Sequence, residues 1–151
     1  MAKLNKKDIH ELLANDLESR INTLQSEFKI YMESAANETK STAGDKHDTS
    51  KSMMQLEQEK LSAQLSQLRE QKKVLSQIDP SKRHQVVGFG SLVETNHGKF
   101  YISISSRSIT HQSEQINYIS IISPIGRAMQ SKSNGFEFSF MGKHYIIQDI
   151  Q

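Results

Sequence analysis

The chain has 151 residues, a net charge of +2 and 35% hydrophobic residues, too little apolar material for one large globular core and too even a charge for a polybasic arm. It contains no cysteine, which excludes disulfides, thiolate metal sites and cysteine nucleophiles. The charged start, Met-Ala-Lys-Leu-Asn-Lys-Lys, leads into no apolar run of signal or membrane-spanning length, so a cytoplasmic, membrane-free protein is expected.

The first eighty residues contain one glycine, Gly44, and no proline before Pro80, and are rich in Leu, Gln, Glu, Lys and Ser. That is the vocabulary of long helices. Between Asp8 and Ala36, Ile9, Leu13, Leu17, Ile21, Leu24, Phe28, Tyr31 and Ala35 recur at steps of three and four and predict one helix with a single apolar stripe. Met54, Leu61, Leu65, Leu68, Leu75 and Ile78 set a second stripe of similar length, with Gln58 and Lys72 in its seam. Two such helices bury their stripes by folding back as an antiparallel pair, or by pairing between chains.

The polar stretch from Asn37 to Asp48 breaks the stripe and holds the lone glycine of this half, which places a hairpin tip at about residues 37–50. Asp48 or Thr49 is expected to cap the second helix, and Ile78-Asp79-Pro80-Ser81 to end it. Asp45 and Asp48 stand three residues apart, so in a locally helical turn both carboxylates face one side and can converge on one ion or water. The same spacing equally suits plain capping and favourable interaction with a helix dipole. Tyr31, Met32, Met53 and Met54 read as the last packing layer below the tip.

From about Gln85 the vocabulary changes to glycine, phenylalanine and isoleucine interleaved with Ser and Thr. Gln85–Glu94, Lys99–Ser105 and Gln115–Ile122 read as strands, and Phe136, Phe138 and Phe140 alternate in a fourth that returns through Met141-Gly142-Lys143 to His144–Ile150. Ser123 suits an N-cap and Pro124 the first helical position of one short helix. The fold class is therefore α+β: an antiparallel coiled-coil hairpin over 1–79, a linker over 80–84 and a small β-rich domain with one short helix over 85–151.

Two stretches carry a resemblance. Ser123-Pro124-Ile125-Gly126-Arg127-Ala128-Met129 is similar to the Ser-Pro-Ile-Ala-Arg-Ala/Gly-Leu segment of Gre-type transcript cleavage factors, the GreA/GreB family, and Gly44-Asp45-Lys46-His47-Asp48 resembles that family's tip, where a Gly-Asp precedes a second acid, usually Glu. The family layout, a coiled-coil hairpin followed by a small FKBP-like β domain, also matches. The resemblance implies a monomeric elongation factor that is not itself an enzyme. Its partners would be bacterial RNA polymerase, entered through the secondary channel, and the 3′ end of backtracked RNA.

By the same resemblance Asp45 and Asp48 are the acting carboxylates, sharing a magnesium ion of the polymerase, while Ser123, Pro124 and Arg127 contact the polymerase; no cofactor of its own is implied. Asp48, one methylene shorter than the usual Glu, keeps open a channel binder that regulates without cleavage, and a coiled-coil structural adaptor is the remaining alternative. Lys29, Lys40, Lys51 and Lys60 would attract RNA or form a solvated face. His97, His111 and His144 fall in different elements, and no catalytic triad, phosphate loop or dinucleotide fingerprint occurs, so neither a zinc site nor isomerase chemistry is expected.

Overall fold

Asn5 opens the first helix with a reciprocal cap: its side-chain oxygen accepts from the Asp8 backbone N–H (2.8 Å), and the Asp8 carboxylate accepts from the Asn5 N–H (3.2 Å). Two otherwise orphaned donors are thereby satisfied. In this computed structural model, residues 3–41 and 45–151 are described, with the side chains of 38–41 and 45–50 outside that description. Helix α1 runs over Lys6–Ser41 and helix α2 over Asp45–Ser76, 36 and 32 residues, or about 54 and 48 Å at the usual rise.

Both helices are longer than the stripes alone indicate. The polar residues 37–41 stay helical because nothing there breaks a helix, neither Gly nor Pro, and helical backbone does not require an apolar partner at every turn. Because α2 starts at Asp45, Asp48 and Thr49 lie inside the helix, so the expectation that either is its N-cap is corrected. At the other end, Gln77 and Ile78 donate to Val74 and Leu75 in tighter i→i+3 turns, and the Asp79 carboxylate takes the Ser81 N–H and hydroxyl.

The chain divides into two compact units, Met1–Asn15 with Lys73–Gln151, and Asp16–Lys72. The second unit is the hairpin shaft. Leu17 and Ile21 of α1 and Leu61, Leu65 and Leu68 of α2 are buried, and the Glu18–Lys72 ion pair (2.5 Å) joins the helices in antiparallel register. The stripe is thus taken up within one chain. Nearer the tip, Leu24, Phe28, Tyr31, Ala35 and Met54 are only half-buried, and Met53 is 67% exposed rather than part of a packing layer.

In the other unit a six-stranded sheet has the order β3-β4-β2-β1-β6-β5, with β1 Leu92–Thr95, β2 Gly98–Ile102, β3 Ser106–His111, β4 Glu114–Ile119, β5 Glu137–Phe140 and β6 Lys143–Ile150. All neighbours are antiparallel except β2 and β4. Helix α3, Pro124–Met129, follows β4. On one face Val93, Phe100, Ile102, Tyr145 and Ile147 form a core with Val87 and with Met129 of α3, and the half-buried Phe136, Phe138 and Phe140 pack against it.

The register places Leu92, Tyr101 and Tyr118 on the opposite face. There the Tyr118 hydroxyl donates to the Ile9 carbonyl (2.9 Å), and the Tyr101 hydroxyl meets His10 Nδ1 at 2.7 Å, holding the first turns of α1. Lys6 is buried beside them, donating to the carbonyls of Lys82 (2.7 Å) and Gln151 (3.2 Å); burial pulls its pKa down to about 8.

Burial also lowers the pKa of His10, with Glu11 opposing and Lys6 reinforcing the shift. A histidine with a depressed folded-state pKa favours folding when neutral, so its contribution is complete above about pH 6.5 and is lost as pH falls below it. His84, lowered by burial and by Lys6 and Lys82, adds in the same direction. Urea titrations at pH 7.5 and 5.0 should therefore show the wild type losing more stability on acidification than His10→Gln; equal losses would exclude His10 as a contributor.

Candidate functional site

The two aspartates fall where α2 begins. Asp45 is its first residue and Asp48 its fourth, so the two backbone positions are separated by a little less than one helical turn. Helix α1 ends at Ser41, which leaves residues 42–44, including the glycine of the expected turn, between the helices and outside the described residues. The side chains of Asp45, Lys46, His47 and Asp48 are also outside the described set.

The chemistry of the donor set can still be judged. Two aspartates supply hard oxygen ligands suited to magnesium, but magnesium prefers six-coordinate octahedral geometry, and two carboxylates three residues apart do not complete that shell. Such a pair suits an ion whose other ligands come from elsewhere. Among the described residues, no group of three or more His, Cys, Asp or Glu side chains is placed to hold a metal.

Below the tip, a groove of about 600 Å³ opens where small Ala35 faces α2, lined by Lys51, Met54, Gln55, Gln58 and Glu59. Lys29, Lys51 and Lys60 are exposed on the shaft, while the side chain of Lys40 is outside the described set.

The second predicted cluster lies at the start of α3. Ser123 is the N-cap: its hydroxyl donates to the Ser120 carbonyl (2.6 Å) and accepts from the Gly126 N–H (3.1 Å), and the Arg127 N–H donates to the Ser123 carbonyl (2.8 Å). Both capacities of that hydroxyl are used internally, so Ser123 shapes the loop. Pro124 occupies the first helical position, where its missing N–H costs nothing. Pro124 and Arg127 are exposed.

No protein-family model matches this chain, and neither does any curated protein. Among solved structures it is similar to the transcription factor Gfh1, at 15% identity and a TM-score of 0.36, over 91% of this chain and 92% of that one. So loose a likeness bears on neither function nor partner. No helix among the described residues is long and apolar enough to cross a membrane.

Three features escaped the sequence. Gly126 is buried so tightly that a Cβ there would overlap the Ser120 carbonyl and lie 2.9 Å from that of Ile121, a closeness that no local pattern announces. Ile122, in the loop before the cap, is 70% exposed although it sits among isoleucines that pack inward. The His10–Tyr101 pair joins residues 91 apart, and only the tertiary fold brings them together.

Proposed function

We propose that this protein is a transcription elongation factor that enters the secondary channel of bacterial RNA polymerase with its hairpin and stimulates the polymerase's intrinsic cleavage of backtracked RNA. The observation that carries the reading is the position of Asp45 and Asp48 in the opening residues of α2, with three residues between it and the end of α1, on helices long enough to reach into a deep channel. The exposed Pro124 and Arg127 in the capped helix α3 support a protein contact by the other unit.

Two-metal hydrolysis of a phosphodiester needs both ions held close together, and magnesium bound at the polymerase activates the water and stabilises the leaving oxygen. Asp45 and Asp48 would supply carboxylate oxygens toward the more weakly held ion and orient water beside it. The protein is then not itself the nuclease and needs no cofactor of its own.

One observation favours a second reading: the residue at position 48 is Asp rather than the longer Glu of Gre-type tips, and a shorter reach suits a channel-bound regulator that does not cleave. The discriminating experiment adds the protein to stalled, backtracked elongation complexes with magnesium. The first reading expects RNA shortened from its 3′ end; polymerase binding without shortening selects the second.

A further inference from the structure

Charged groups concentrate at one end of the sheet, where the parallel strands β2 and β4 both begin. Glu94 stands opposite Lys99 in the β1–β2 register, Lys99 stands opposite Ile116 in β2–β4, and Glu114, two residues before Ile116, shares its face. Asp149 of β6 in turn stands opposite Glu94. The sheet thus sets three carboxylates around one lysine. Lys3, in the segment before α1, adds a second cation through its 2.9 Å ion pair with Glu94.

Lys99 is the unusual member of this group. Its side chain is only 6% exposed, and it forms an ion pair with Glu114, which is 30% exposed. An ammonium has three donors, yet among the described residues Lys99 Nζ has no hydrogen-bond partner, whereas buried charges are ordinarily both paired and hydrogen-bonded. Beside the pair lies a cleft of about 290 Å³, lined by Glu94, Lys99, Glu114 and the amide side chains of Gln115 and Asn117. At about 30 Å³ for each water in the liquid, it has room for roughly ten non-hydrogen atoms. Among the described residues no large apolar side chain lines it, so its ligand is polar.

We propose that this cleft binds a free α-amino acid with a polar side chain, inserted between Lys99 and Glu114. The ligand carboxylate takes the Lys99 ammonium, and Glu114, exposed enough to turn, takes the ligand ammonium with Glu94 as its neighbour. One ion pair becomes two, and no buried charge is left alone. A plain anion would displace Glu114 without giving it a partner, and a plain amine would draw Glu114 away from Lys99; each leaves an uncompensated charge. Gln115 and Asn117, in the same cleft, suit a polar ligand side chain. Nothing in this chemistry requires the polymerase.

The test follows the backbone amide signals of the isotope-labelled full chain by NMR during titration with L-glutamine, with glutaramate, which lacks its amine, and with γ-aminobutyramide, which lacks its carboxylate. L-Glutamine should shift the amides of Lys99, Glu114 and Gln115 saturably, with a dissociation constant of about 1 mM or below. Each truncated probe should bind the wild type at least roughly tenfold more weakly. Lys3→Ala, at an exposed position, should tighten glutamine binding about two- to fivefold by freeing Glu94 for the ligand ammonium. Glu114→Gln should reverse the preference, so that glutaramate binds better than glutamine. Thermal melts check that both variants are folded, and if Glu114→Gln is not, the three probes on the wild type and on Lys3→Ala still decide. No saturable shift with L-glutamine, or shifts centred away from β2 and β4, would overturn the site. Glutaramate binding the wild type as tightly as glutamine would overturn insertion between Lys99 and Glu114.

Discussion

Replacing Asp45 and Asp48 by asparagine is expected to reduce stimulated RNA cleavage on the order of a hundredfold while leaving polymerase affinity unchanged. That factor corresponds to about 2.7 kcal/mol of transition-state stabilisation, a reasonable share for carboxylates that help hold a catalytic ion. Asparagine keeps the size and a carbonyl oxygen but loses the charge. Removing acids from the opening turn of α2 also forfeits favourable interaction with the helix dipole, worth about 0.3–1 kcal/mol each. A measurable fall in melting temperature is therefore compatible with the account, but a fall in affinity is not. If side-chain length limits the site, Asp48→Glu should raise cleavage above the wild type. Single-turnover RNA shortening on saturated complexes measures both variants, and full activity in the double variant would remove the carboxylate mechanism.

Gly126→Ala should destabilise the sheet-containing unit by about 1–3 kcal/mol or more, the range for forcing extra volume into a packed site. Two effects oppose each other here. Helix propensity favours alanine by about 1 kcal/mol, so propensity alone predicts stabilisation. Overlap of the new Cβ with the Ser120 carbonyl, and its 2.9 Å approach to that of Ile121, outweighs it, because both obstacles are backbone and cannot rotate away. Gly88→Ala is the control: nothing lies within 4 Å of a Cβ there, and its φ is not positive, so it should be tolerated. Thermal melts of the two variants decide the matter, and a Gly126→Ala protein that melts at or above the wild-type temperature would show that the loop yields.

Much of the fold was legible because it rests on periodicity. Ile9, Leu13, Leu17 and Ile21 recur at helical spacing and are all buried, and Ser123-Pro124 announced α3 at its observed first residue. What stayed hidden depended on exceptions. Strand β3 has a polar, largely exposed sequence, and the turn joining it to β4 uses Gln112 and Ser113 at φ 51° and 67° where Asn-Gly would be the usual signal. A hairpin without its turn residues, on an edge strand without an apolar face, leaves no pattern to read. The stretch before β1 is the converse. Its hydrophobic residues suggested a strand from Gln85, but Ser91 folds back on Gly88, and the stretch makes an isolated bridge, Val86 to Ser133, rather than a strand.

The candidate site divides in the same way. The chemical types at 45 and 48 were readable from the sequence, as was the cap that orders the α3 loop. The use of Ser123 for shape rather than contact was not, because the hydroxyl's two partners, Ser120 O and Gly126 N, are set by how the loop turns. The exposure of Ile122 was equally hidden, since an isoleucine within an Ile-Ile-Ser-Pro-Ile run gives no sign of which member faces out.

The most direct measurement is the magnesium dependence of 3′ cleavage in defined backtracked complexes, with and without this protein. If Asp45 and Asp48 help hold the weaker ion, the half-saturating magnesium concentration falls when the protein is added and returns to the value for polymerase alone with the Asp45→Asn, Asp48→Asn variant. A magnesium curve that the wild-type protein leaves unmoved, on complexes shown to have bound it, would contradict the account.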